Sequence, residues 1–135
     1  MKRSTPPLFC ELAVKAVIPT IRAMVAKELS TGHMMKQHEV ALALGLTQSA
    51  ISQYLRNIRG NTLNLEGVEG VEELVKELAE MISSGNASFS HINSKFCEAC
   101  RLVRETRLLC CLHKKVDPDF EVDDCNTCAS TRQGC

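Results

Sequence analysis

An all-α fold is predicted for this chain, as a bundle of short helices followed by a small cysteine-rich module. Three observations lead there. Val, Ile and Thr are scattered among helix formers and never gather into alternating runs, so no stretch reads as a strand. Apolar residues recur at helical spacing in at least two long segments. With no Trp, one Tyr and four Phe among 135 residues, the core has to be built from Leu, Val, Ile, Ala and Met, which suits packed helices.

The first helix is expected from Leu8 to Leu29, with Leu12, Val17, Ile21, Met24, Val25 and Leu29 along one side. Pro19 falls inside it, lacks an N–H and crowds the carbonyl four residues back, so a kink or a break is expected there. Ser30-Thr31-Gly32 stops it. A shorter helix follows over Lys36–Leu44, ended by Gly45, and Thr47 is placed to cap a third over Gln48–Arg56. Asn57–Asn61 reads as a turn. Another helix over Val71–Ser83 puts Val71, Leu74, Val75, Leu78 and Ile82 on one face and glutamates on the other, where they read as a solvated face. Ser83–Ser88 is the candidate linker, giving expected units of 1–83 and 84–135. Beyond it Phe89–Leu109 is expected to be largely helical, and the tail from Asp117 is acidic and poor in apolar residues.

The formal net charge of zero conceals a pattern. Residues 1–60 carry eight Lys/Arg against three Glu, residues 61–82 one Lys against six Glu, residues 83–115 six Lys/Arg against two Glu, and residues 116–135 one Arg against five Asp/Glu. The first sixty residues alone form a basic unit, so the overall balance does not exclude a nucleic-acid partner. No apolar run approaches the roughly 20 residues of a membrane span. Met1–Pro7 lacks the apolar stretch of a secretory leader, so cytoplasm is the expected location and a disulfide framework is not expected. No phosphate loop, nucleophile–base constellation or cofactor fingerprint appears, so an enzyme is not expected.

The segment Gln37–Leu55 carries the most specific local pattern. Two short helices crossing steeply need a small residue where their backbones approach, and Ala41 supplies one. The tight turn needs positive φ, which Gly45 tolerates. Val40, Leu44, Leu46, Ile51 and Leu55 are the expected shared core. Gln48, Ser49, Ser52, Gln53 and Arg56 are then left on the outer face, polar and of a length suited to base edges and phosphates.

On these residues the chain resembles helix-turn-helix regulators of the lambda-repressor or Xre type, over roughly residues 8–60. More closely it is similar to short archaeal predicted regulators. These open on a helix like Val17-Ile18-Pro19-Thr20-Ile21-Arg22 and carry a tail like Phe96-Cys97-Glu98-Ala99-Cys100-Arg101-Leu102-Val103-Arg104, with a later Cys-x-x-Cys. The resemblance implies dimeric binding to double-stranded DNA, with Gln48, Ser49, Ser52 and Gln53 in the major groove and Thr47, Arg56 and Arg59 near phosphates. Two-fold pairing would set half-sites about 34–36 Å apart. The apolar stripe of Val71–Ile82, or the C-terminal module, is the expected homodimer interface.

Eight cysteines are concentrated toward the C-terminus. Cys97-x-x-Cys100 and Cys125-x-x-Cys128 each bring two thiolates together, and the two pairs make a four-thiolate set, with Cys110, Cys111 and His113 as alternates. Zinc explains one such set and leaves at least three cysteines without a task. An iron–sulfur cluster takes the same ligation, and Arg101, Arg104 and Arg107 would offset its negative charge. A 4Fe–4S cluster that controls DNA affinity is the first expectation, and a constitutive regulator with structural zinc is the alternative. Residues 90–135 are expected to need the metal for their folding. Cys10 reads as a small core residue, Cys135 as unbound, and His33, His38 and His91 as surface groups.

Overall fold

A computed structural model of the chain describes residues 9–61 and 63–106, together with positions 108, 112 and 114. Among the described residues every regular element is a helix. The order is α1 (Phe9–Leu12), a π-helical segment (Ala13–Val17), α2 (Ile18–Thr31), α3 (Gln37–Leu44), α4 (Gln48–Leu55), α5 (Val71–Ser84) and α6 (Phe89–Glu105).

Pro19 does not break the first helix. The chain stays helical from Phe9 to Thr31, and the turn before the proline widens to π geometry, with the Ile18 N–H donating to the Ala13 carbonyl. That wider turn makes room for a ring that would otherwise crowd the carbonyl of the preceding turn. Inside the same stretch the buried Thr20 hydroxyl donates to the Ala16 carbonyl at 2.7 Å. The resulting long element is the spine of the fold, with Val17, Ile21, Val25 and Leu29 all fully buried.

Helix α5 packs on α2, and α4 and α3 also pack against α2. Val71, Leu74, Val75, Leu78 and Ile82 are all buried within this chain. The stripe expected to pair two copies is therefore satisfied internally, because α2 offers a matching apolar face. Residues 72, 73, 76, 77 and 80 are left outside, in keeping with the solvated acidic face expected from the sequence.

Helix α6 packs on α5 and α2 and contributes Ala99 and Val103, both fully buried, to the core that the preceding helices share. Of the segment expected to need a metal for its folding, residues 90–105 thus bury Ala99 and Val103 against the preceding helices, and most of the remainder lies outside the described residues. Ser88 caps α6 by accepting the His91 N–H at 3.2 Å. Lys95 of α6 pairs with Glu77 of α5 at 2.8 Å and with Glu98 at 3.5 Å. The hydrogen bond that the Lys95 ammonium donates to the Glu77 carboxylate is the main reason the Lys95 pKa lies above its ordinary value. A raised lysine favours the fold while it is charged, so this pair's contribution is fully present below the unfolded amine's value and fades as pH rises through the raised one.

Candidate nucleic-acid interface and thiol site

Helices α3 and α4 have eight residues each and are joined by Gly45-Leu46-Thr47. Gly45 closes α3 in the left-handed conformation at φ 66°, a backbone that side chains with a Cβ adopt only under strain. Thr47 is extended and its hydroxyl accepts the Ala50 N–H at 3.1 Å, which starts α4. Thr47→Ala is expected to lower stability by about 1 kcal/mol, measured by urea unfolding; an effect under a few tenths would mean that the cap does not set this turn.

Val40, Ala41, Ala50, Ile51 and Tyr54 are buried between the two helices and α2, while Leu44, Leu46 and Leu55 are partly buried against the same core. Tyr54 was not among the expected core residues, yet it is one of the largest fully buried side chains, only 1% exposed. The signal was present: it follows Ile51 by three residues and so lies on the same helical face. The Arg59 guanidinium sits over its ring, 5.5 Å from the centroid. Gly60 then brings the chain back against α2 at φ 75°, where an added Cβ would meet the Pro19 carbonyl oxygen at 2.5 Å and the Ala23 Cβ at 2.9 Å. The Lys27 amine donates to the Asn57 side chain, tying the turn after α4 to α2.

With α4 anchored by its buried side, its other side is polar. Thr47, Gln48, Ser49 and Arg56 are exposed, and Ser52 and Gln53 half-buried. Arg59 is exposed at its edge. The seven residues singled out from the sequence therefore lie on one helix and its two flanks. Two of the cations are already engaged: Arg56 Nε donates to the Ser52 carbonyl at 3.4 Å, and Arg59 lies on Tyr54.

The cysteine pair Cys97 and Cys100 lies within α6 and not on a turn. Residues three apart on a helix share a face, with roughly 5–6 Å between their Cβ atoms. Cys97 is exposed and Cys100 half-buried. Among the described residues no three His, Cys, Asp or Glu side chains converge as a metal site would require. Cys125 and Cys128, and the alternates Cys110, Cys111 and His113, lie outside the described residues, as do Cys135 and the side chain of Cys10. The described part of the chain thus presents two thiols on one helix face. His38 and His91 are exposed and His33 is half-buried.

A feature that sequence reasoning missed joins the two regions. A cleft of about 870 Å³ opens between α6 and the opposite wall formed by the π segment, the start of α2 and the last turn of α3. Both thiols are on the α6 side, and Leu44 and Gly45, the residues leading into α4, are on the other. Comparison with family models, with curated proteins and with solved structures finds no match to this chain.

Proposed function

We propose that the chain is a sequence-specific DNA-binding regulator in which α3 and α4 act as a helix-turn-helix and α4 is the recognition helix. The observation that carries this reading is the polar row Gln48, Ser49, Ser52 and Gln53 on a short helix held from behind by Ile51 and Tyr54. Such a helix is narrow enough for the major groove, and amide side chains can bond adenine edges in pairs. Thr47 and Arg56 would meet phosphates at its two ends, and Arg59 one further along. The basic balance of residues 1–60 favours the approach to DNA. As a homodimer the protein would read two half-sites related by two-fold symmetry.

The regulatory part of the proposal assigns Cys97, Cys100, Cys125 and Cys128 to an iron–sulfur cluster. Such a cluster changes its charge with redox state, and the hydrogen bonds and charges around its thiolates tune it. Support comes from the two thiols sharing a helix face, and from their place across the cleft from Gly45. A shift of α6 at the thiols would be felt at the turn that orients α4, which would bias the population of DNA-competent chains.

Selection from a random duplex pool with anaerobically purified protein tests the reading. A single enriched motif, palindromic or nearly so, is expected. Arg59→Ala is expected to weaken binding to the selected and to unrelated duplexes alike and to flatten its salt dependence, as loss of a phosphate contact does. Absence of any enriched motif, with no salt-dependent duplex binding, would contradict it.

A further inference from the structure

The cleft gathers most of the exposed large apolar side chains among the described residues. Of the five large hydrophobic residues exposed among the described residues, Val14, Leu42 and Phe89 stand on its walls, exposed by 67%, 81% and 78%, while Met34 and Ile58 lie elsewhere. Ile18, Ile92 and Phe96 line it more deeply. Exposed apolar side chains gathered at one concavity, and not scattered singly, mark a binding surface. The volume also falls inside the usual range of small-molecule sites, roughly 300–1,000 Å³.

Charge narrows the class of occupant. The chain has as many acidic as basic residues, yet among the described residues lining the cleft two are arginines, Arg22 and Arg104, and none is acidic. Arg22 is half-buried, one turn along α2 from Ile18, and makes no ion pair among the described residues. A guanidinium at the edge of an apolar wall is matched by a molecule with a long apolar body and one anionic end.

We propose that this cleft binds an apolar monocarboxylate of fatty-acid type, with its chain against Leu42, Phe89 and Phe96 and its carboxylate accepting hydrogen bonds from Arg22. The occupant would touch Leu42, Leu44 and Gly45 on one side and the thiol-bearing face of α6 on the other. It would therefore act on the turn that leads into α4. That effect on DNA rests on the regulator reading above, whereas the binding itself does not.

The test uses the full chain, purified without oxygen, and a pair of fluorescent probes. One is dansyl-undecanoic acid and the other its uncharged primary amide. The acid is expected to bind saturably and at least about tenfold more tightly than the amide, since a hydrogen bond to a charged group is at stake. Arg22→Gln is expected to remove that preference and leave amide binding unchanged. Phe89→Ser, at an exposed position, is expected to weaken both probes. Equal binding of acid and amide to the unmutated protein overturns the proposal, as does the absence of saturable binding. Acid affinity that falls as protein concentration rises also overturns it, because a second copy then fills the cleft. Should Arg22→Gln fail to fold, the acid–amide comparison and Phe89→Ser still decide. Operator affinity, measured with and without saturating dansyl-undecanoic acid, separates the two readings: probe binding with no DNA binding at all removes the regulator reading and keeps the cleft.

Discussion

Gly60→Ala is expected to destabilise the protein by about 3 kcal/mol or more, because two penalties coincide there. Position 60 has φ 75°, and a left-handed backbone costs a residue with a Cβ roughly 1–2 kcal/mol. The new methyl group would also press on the Pro19 carbonyl oxygen, the Ala23 methyl and the Tyr54 ring, the last at 3.0 Å. None of these can swing away cheaply, since they belong to the spine helix and to the buried anchor of α4. Overpacking of this kind adds roughly 1–3 kcal/mol. Gly67→Ala is the control. Its φ is 80°, but nothing lies within 4 Å of the added methyl, so only the backbone penalty of roughly 1–2 kcal/mol should appear. Urea unfolding followed by far-ultraviolet circular dichroism measures both, and equal losses would contradict the close approach of the turn to α2.

Cys97→Ser is expected to remove bound metal and colour together while leaving α6 in place. Residue 97 is exposed, and the helix is held by Ala99 and Val103, so serine there has no packing to disturb. Its hydroxyl is a far poorer ligand than a thiolate, and a four-thiolate shell lacking one member should lose its cluster. Anaerobic protein with all eight cysteines should be brown and carry iron with acid-labile sulfide. Cys97→Ser and Cys128→Ser should both be colourless, and Cys10→Ser should retain the colour. Colourless wild-type protein holding one tightly bound zinc per chain would replace the sensor account with the structural-zinc alternative.

Much of the helical layout was legible in the sequence because it depends on local chemistry. Gly45 and Thr47 mark the turn between α3 and α4 by backbone tolerance and hydroxyl capping, and both act as their residue types dictate. The spacing of Val71, Leu74, Val75, Leu78 and Ile82 identified α5 and its buried face. What the spacing could not say was which surface covers that face: α2 does, and a second chain does not have to. Pro19 was legible as a perturbation but not in its form. Whether a helix breaks, kinks or widens to a π turn depends on how firmly its two halves are packed, and Val17 and Ile21 are both fully buried.

The cleft was not legible at all. Val14, Leu42, Phe89 and Phe96 belong to three stretches whose periodicities each look unremarkable, and only the approach of α6 to the end of α3 gathers them. The same holds for the placement of Cys97 and Cys100. Their spacing suggested two thiols able to share an ion, but the motif does not show that a helix carries them or that they face the turn before α4.

The most direct measurement of the central claim is the affinity of the Gln48→Ala/Gln53→Ala double variant for the selected duplex and for an unrelated duplex, at one fixed salt concentration. Gln48 is exposed and Gln53 half-buried, and neither is among the buried residues of α4, so the fold should survive. Each lost base-edge contact is expected to remove about 1–3 kcal/mol at the specific site. The predicted result is a selected duplex bound little better than the unrelated one, with affinity for the unrelated duplex unchanged. Unaltered affinity for the selected duplex would contradict the assignment of α4 as the recognition helix.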